Sequence, residues 1–219
     1  MKHYLYVSET KINTLYPQIL KTILDNIDDE SNINAGFSST LTANPGSGKT
    51  IYDKLDLVCS YLEKEGAVGT VDSSQQYFKG ILPMRWDFYG RDEKSQLVYF
   101  GGVTDAGTVL GLGGSIHHVL GKERESSPAH SQSLPFAITN KLNEELNIPL
   151  TPRNEFEMEG QNRTFALNDE AYLEAVSLAT VKMEGPLQNL EFLAQKLVTG
   201  GDNRKKVVLG TPIYVAFAE

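Results

Sequence analysis

The stretch that decides the fold lies at residues 101–121 and reads GGVTDAGTVLGLGGSIHHVLG. Apolar runs at 96–100 and 108–112 predict the two strands of a hairpin, with residues 101–107 as the connection. Because hairpin strands pair antiparallel, the stretch predicts a sheet that is mainly antiparallel or mixed.

A glycine-rich turn follows the predicted hairpin and includes Gly113, Gly114 and Ser115. A short helix is predicted directly after it, over residues 116–120. A turn with few side chains lets a ligand approach the backbone, and the N–H groups at the start of a helix suit an anion. These three residues are therefore candidates for binding a phosphate.

Two of the four histidines, His117 and His118, stand side by side in this predicted helix. Imidazole titrates near neutrality and can move a proton in catalysis. Adjacent residues of a helix diverge by about 100°, so one imidazole would face a ligand while the other packs or caps. The alternative is that both are ordinary structural residues.

The periodicity of the remaining chain extends the fold in both directions. Runs of extended character predict strands at 3–8, 33–43, 68–72, 77–89 and 207–218. Apolar residues three or four apart predict helices at 17–27, 51–64, 134–146, 169–181 and 186–198. Helices and strands mixed without strict alternation predict the α+β class, with the first and last strands in one sheet and helices packed against it. We expect a single domain over residues 1–219, with the polar segment 122–133 as a candidate internal boundary.

The composition disfavours several classes of protein. A net charge of −8 argues against binding long nucleic acids, because that affinity comes from cations facing phosphates. No run approaches the roughly 18–20 apolar residues of a membrane span, and the segment 1–8 predicts a strand rather than a secretory signal. The single cysteine, Cys59, fits a reducing compartment. We therefore expect a cytoplasmic protein.

Residues 43–50, ANPGSGKT, resemble the phosphate-binding loop of NTPases. Lys49 and Thr50 match the positions that contact phosphate and Mg²⁺ there. However, Ala43 replaces the first glycine, the preceding strand lacks a continuous apolar run, and no convincing acidic motif for Mg²⁺ is present. We interpret the segment first as a loop that caps the helix at 51–64, with phosphate binding as the alternative.

Arg85 stands beside Trp86, the single tryptophan of the chain. Together they would offer a phosphate a positive charge and a base a stacking surface. The alternative is an amphipathic strand with Trp86 in the core. The four histidines and Cys59 lack the spacing of a metal site, so we expect neither a metal nor a cofactor.

Segments from both ends of the chain carry a resemblance to a known family: YLYVS at 4–8 with Lys11, YPQI at 16–19, LPMRW at 82–86, VYFGG at 98–102, LGGSIHHVLG at 112–121 and LGTPIYVA at 209–216. On these segments the chain resembles, nearly end to end, an uncharacterised bacterial family known only as a domain of unknown function. The resemblance implies no catalytic residues, and it does not require the segment 43–50 to bind phosphate. It also implies an association with bacterial conflict and defence genes, and hence nucleotide second messengers as a class of ligand.

Three hypotheses for the function remain open. The first is a nucleotide-directed protein of bacterial defence, most concretely a metal-independent phosphodiesterase that resembles a ring nuclease and acts on cyclic or short oligonucleotides. The second is a non-catalytic module that binds a nucleotide or a partner protein. The third is an NTPase that uses residues 43–50. The expected partners are a small nucleotide or cyclic oligonucleotide and a second copy of the chain.

In the phosphodiesterase hypothesis a ribose 2′-OH attacks the adjacent phosphate. His117 or His118 would move the proton. The charge of the phosphate would be held by the amides of the glycine-rich turn and by one cation: Gly113, Gly114 and Ser115, with Arg85 or Lys49.

Overall fold

The computed structural model describes residues 2–29, 48–90, 97–121, 135–146, 169–202 and 205–218. Helices in these ranges are α1 (Glu9–Asp29), α2 (Ile51–Lys64), α3 (Pro135–Leu146) and α4 (Asp169–Lys182). The strands are β1 (His3–Val7), β2 (Val68–Thr70), β3 (Tyr77–Tyr89), β4 (Leu97–Val103), β5 (Val109–Ser115), β6 (Gln188–Asp202) and β7 (Lys205–Phe217). Contacts divide the chain into two compact units, a barrel unit of Met1–Val7 with Val68–Glu219 and a helical unit of Ser8–Ala67.

Five strands of the barrel unit close into a barrel. β4 pairs antiparallel with β3 and β5, β5 runs parallel to β7, and β6 pairs antiparallel with β7 and β3. The length of β3 allows the closure, since its residues 77–84 pair with β6 and its residues 84–89 pair with β4. β1 is added beside β7, and β2 beside β3. The predicted α+β class, with the first and last strands in one sheet, is confirmed.

Strand alternation sorts the side chains of the barrel between an inner and an outer face. On β4, Val98 and Phe100 belong to the inner cluster, whereas Leu97 and Tyr99 belong to an outer cluster. The inner cluster also holds residues from every other strand of the barrel, among them Phe78, Met84, Leu110, Leu112, Leu190, Phe192, Val208 and Val215. The outer cluster includes Ile138 and Leu142 of α3 and Leu173, Val176 and Ala179 of α4. The two helices therefore pack on the outer face of the barrel over parts of β4, β5, β6 and β7.

In the helical unit, α1 begins earlier than predicted. We expected a regular helix from near Pro17, but α1 starts at Glu9 and runs through that proline. Ile12, Tyr16 and Ile19 are buried on both sides of it, whereas Pro17 itself is exposed. Continuous burial of this apolar stripe offsets the loss of about 3 kcal/mol that a proline causes inside a helix.

The helix predicted at 186–198 is wrong, because residues 188–198 of this segment lie in β6. Leu190, Phe192 and Ala194 alternate into the barrel interior, as a strand requires. Leu193 between them is also buried, so both faces carry apolar residues. A strand buried on both faces has an apolar run that periodicity alone does not distinguish from a helix.

Other predicted elements are confirmed, shortened or not described. The hairpin at 96–112 is confirmed as β4 and β5, and the helices at 134–146 and 169–181 are confirmed as α3 and α4. The helix predicted over 116–120 is a single 3-10 turn, Ile116–His118. The predicted strand at 33–43 and the candidate boundary at 122–133 lie outside the described residues. No helix in the described ranges has both the length and the apolar character needed to cross a membrane.

Candidate functional site

The glycine-rich segment is a strand and not a turn. Gly113 and Gly114 lie in β5, paired with Tyr99 and Val98 of β4. A Cβ atom at position 114 would stand 2.5 Å from the hydroxyl oxygen of Tyr6, and one at position 113 would stand 2.7 Å from Ile138. The missing side chains thus make room for a tyrosine of β1 and an isoleucine of α3. The structure gives these glycines a packing role and no exposed turn for a phosphate.

Ser115 ends β5 and caps the 3-10 turn that follows. Its hydroxyl accepts a hydrogen bond from the His117 amide at 3.4 Å, and the Val119 amide donates to the Ile116 carbonyl at 3.0 Å. A turn of three residues lacks the aligned amides of a longer helix, so the predicted anion site at a helix start does not form. The turn is instead tied to β1, because the Leu120 amide donates to the Leu5 carbonyl at 3.0 Å.

The two histidines of this turn are both half-buried. His118 packs edge-on against the ring of Tyr6, with the ring centres 5.8 Å apart and the planes at 81°. Tyr6 is fully buried and packs edge-on against Phe100, at 6.1 Å. Trp86 also packs against Phe100, with ring centres 6.3 Å apart. A chain of ring contacts therefore joins His118 to Trp86 across the barrel interior.

Trp86 and Phe88 stand at the end of the barrel where β3 finishes. They share the inner face of β3, pack edge-on with ring centres 5.5 Å apart, and are both half-buried. Phe217, near the end of β7, pairs with the interior residue Leu190 and is 38% exposed. Trp86, Phe88, His118 and Phe217 are partly exposed at this end, whereas Tyr6 and Phe100 are fully buried beside them. We call this end of the barrel the aromatic end, after its ring-bearing side chains: Tyr6, Trp86, Phe88, Phe100, His118 and Phe217.

The opposite end of the barrel is closed by the loop after β2. Val71 belongs to the inner cluster and is 3% exposed. The loop is tied down on several sides, since Thr104 donates to Asp72 at 2.8 Å and Lys196 donates to the Ser74 carbonyl at 3.0 Å. Lys206 donates to the Asp72 carbonyl. Among the described residues, the partly buried aromatic rings that pack on the inner cluster, Trp86 and Phe88, lie at the other end.

Arg85 does not act together with Trp86, although they are neighbours in sequence. Successive residues of a strand point to opposite faces, and Trp86 faces inward, so Arg85 faces outward. Its Nε–H donates to the Gly185 carbonyl at 3.0 Å, while Trp86 Nε1–H donates to Gln188 Oε1 at 3.0 Å. These two bonds attach Gly185, which follows α4, and Gln188, which begins β6, to β3. The predicted clamp of a guanidinium and an indole on one ligand is therefore not assembled.

Lys49 and Thr50 belong to the helical unit, where Thr50 is the N-cap of α2. The Thr50 amide and hydroxyl each donate to Asp53 Oδ2 at 2.7 Å, and the Asp53 amide donates back to the hydroxyl at 3.2 Å. These bonds hold the pKa of Asp53 below its ordinary value. A carboxylate thus occupies the helix start where a phosphate would bind, which favours the capping interpretation. Residues 43–47 lie outside the described residues.

Lys11 and Glu191 are charged groups elsewhere with shifted pKa values. Burial lowers the pKa of Lys11, in the first turn of α1, to about 8. Burial alone would raise the pKa of Glu191, but hydrogen bonds from Lys2 and Tyr214 lower it overall. Neither group belongs to the aromatic end. Among the described residues, no cluster of three or more His, Cys, Asp or Glu side chains could hold a metal ion.

Several members of the aromatic end were missed by sequence reasoning. Phe88 had a signal, because alternation along the predicted strand 77–89 places it on the same face as Trp86. Tyr6 and Phe217 had none, and neither had Gln188, which bonds to Trp86, since they come from distant segments that only the barrel brings together.

Comparison with known proteins gives one result. No curated protein and no solved structure matches the chain. A family described only as a family of unknown function, DUF7019, matches residues 2–219. The predicted resemblance to an uncharacterised family is confirmed, whereas the link to defence genes stays a prediction. The chain therefore belongs to the DUF7019 family of unknown function.

Proposed function

We propose that the protein binds a nucleotide or a short oligonucleotide at the aromatic end of its barrel. The observation that carries the proposal is the chain of ring contacts from Trp86 through Phe100 and Tyr6 to His118, half-buried at both of its ends. Aromatic side chains that reach solvent are stacking surfaces for bases, worth about 1–3 kcal/mol per base. The mouth of a barrel is also a common place for a small-molecule site.

The outer face of the barrel is covered by helices, which favours the aromatic end over that face as the nucleotide site. The OB-fold, another five-stranded barrel, binds oligonucleotides on the face of its second and third strands. In this barrel those strands are β4 and β5, and their outer face is covered by α3 and α4. Tyr99 there donates a hydrogen bond to the Val176 carbonyl of α4 at 3.2 Å. A ligand would have to displace both helices to bind there, which favours the aromatic end as the site.

The two histidines supply the polar part of the proposed site. A base stacked on Trp86 or Phe88 would extend its sugar and phosphate along the rim of the barrel. His117 and His118 lie on that rim, directly after β5, and an imidazole in either protonation state can donate a hydrogen bond to a phosphate oxygen. With Gly113 and Gly114 engaged in packing, these side chains replace the predicted backbone amides as phosphate contacts.

A second and more specific proposal is the phosphodiesterase reaction predicted from the sequence. In it the ribose 2′-oxygen bonds to phosphorus, a histidine takes the 2′-OH proton, and the 5′-oxygen leaves with a proton from a second acid. The position of His118 beside Tyr6 at the aromatic end favours it. Cleavage of cyclic tetraadenylate or short RNA that persists in EDTA and disappears in His118→Ala would support it. No product with or without Mg²⁺ would leave binding alone.

Binding is testable through Trp86, because the chain has a single tryptophan. We expect AMP, GMP, UMP or a dinucleotide to quench its fluorescence in a saturable titration. Phe88→Ala should weaken that affinity about tenfold, as expected for the loss of one stacking ring. Ile81→Ala is the matched control, since Ile81 lies on the outer face of the same strand and is 62% exposed. The absence of saturable quenching with all four probes would contradict the proposal.

A further inference from the structure

Gln188 is held in one orientation by Trp86. The indole Nε1–H donates to Gln188 Oε1 at 3.0 Å. An indole nitrogen is only a donor, so the carbonyl branch of the amide has to face it. Gln188 is the first residue of β6, pairs with Met84 of β3, and is half-buried. The orientation of the Gln188 amide is therefore determined by its hydrogen bond to Trp86.

The other branch of this amide offers hydrogen-bond donors only. The amide nitrogen is the branch that does not bond to the indole, and it carries two N–H donors. In the part of the chain that the structure describes, no protein group accepts a hydrogen bond from them. A base stacked on Trp86 would thus meet two donors, with the indole N–H and the amide oxygen already engaged with each other.

The donors select among bases by the acceptors that each base carries. Guanine presents N7 and O6 as adjacent acceptors on one edge. Adenine pairs its N7 acceptor with an amino donor, cytosine presents an amino donor, and uracil, like thymine, has a single O4 acceptor on that edge. We propose that Gln188 is the specificity residue of the aromatic end and selects guanine nucleotides by donating to N7 and O6. This inference rests on the proposed nucleotide binding.

The test compares GMP, 7-deaza-GMP and AMP by isothermal titration calorimetry. 7-Deaza-GMP keeps the size and the O6 of guanine but has a C–H group in place of N7. We expect GMP to bind wild-type protein about tenfold more tightly than either analogue, because each leaves a donor of Gln188 unpaired.

Two variants assign the preference to Gln188. Gln188→Glu keeps an acceptor for the indole but offers no donor, so the difference between GMP and 7-deaza-GMP should disappear. Trp86→Phe keeps a stacking ring but releases the amide, so the same difference should shrink. Circular dichroism melting curves establish that both variants fold.

The possible outcomes test three separate claims: the preference for guanine, the role of Gln188 and nucleotide binding itself. Equal affinities of the three nucleotides for the wild type would overturn the guanine selection and leave nucleotide binding intact. A preference that survives in Gln188→Glu would overturn the role of Gln188. No heat of binding with any of the three, together with no fluorescence quenching, would overturn the proposed function itself.

Discussion

Substituting Gly114 by alanine distinguishes packing from phosphate binding at the glycine-rich segment. The new Cβ would lie 2.5 Å from the hydroxyl oxygen of Tyr6, 2.8 Å from its Cζ and 3.0 Å from its Cε2. Tyr6 is fully buried between Phe100 and His118, so its ring cannot swing away without moving them. Overpacking of this kind costs about 1–3 kcal/mol. At about 2–4 °C per kcal/mol for a chain of this size, the melting temperature should fall by about 2–12 °C.

A double-mutant cycle identifies Tyr6 as the cause. Tyr6→Phe removes the oxygen nearest to the new Cβ but leaves Cζ at 2.8 Å, so Gly114→Ala should cost less, though not zero, in that background. Gly107→Ala is the matched control. Gly107 has a φ of +85° and no atom within 4 Å of the new Cβ, so its cost arises from the backbone and should not depend on Tyr6.

Urea denaturation of the single and double variants measures both effects. A cost below about 0.5 kcal/mol for Gly114→Ala would refute the packing argument, because ordinary surface substitutions reach that size. An unchanged cost in the Tyr6→Phe background would refute the role of Tyr6. Full stability combined with loss of nucleotide binding would restore the predicted phosphate role of the glycine backbone.

Three further outcomes follow from single residues. Thr50→Ala should destabilise the protein by about 1 kcal/mol through loss of the α2 cap, measured by urea denaturation. Because burial lowers the pKa of Lys11 from 10.5 to about 8, the unfolded chain binds more protons between these values. Stability should therefore rise with pH across that window in the wild type and more weakly in Lys11→Met. The lowered pKa of Glu191 means that its contribution is present above about pH 4.5 and is lost on acidification, so Glu191→Gln should unfold with a weaker acid dependence.

Local patterns predicted the elements whose identity depends on their own residues. The hairpin of β4 and β5 is apolar on both sides of a turn, and α2 has an apolar stripe that ends at Gly66, where φ is +65°. Such signals are complete within a short window. The segment of β6 has no such local signal, because its apolar run fits a helix as well as a strand. Only pairing with β3 and β7 decides between them.

The glycines show why the candidate site was predicted only in part. Sequence alone reveals that Gly113 and Gly114 lack side chains, and a ligand is one explanation of the space. The structure fills that space with Ile138 and Tyr6, from opposite parts of the chain. The sequence predicts Trp86 as a stacking surface and His118 as a proton-transfer group. It does not predict that the two residues are connected through packed side chains. Their connection depends on Phe100 and Tyr6, which a sequence reader assigns to the core.

The two ends of the barrel differ in how much folding stability the protein would lose by forming a ligand site there. At the closed end, Val71 fills the interior and its loop is held by Thr104 and Lys196, so opening it would expose the core and break these bonds. At the aromatic end, Trp86 and Phe88 already reach solvent, and covering them with a base would bury apolar surface without breaking a protein contact. The proposed stacking of a planar ligand there would therefore add buried apolar surface without exposing the core. The proposed nucleotide binding predicts that the ligand raises the melting temperature, because it would bind the native barrel and not the unfolded chain.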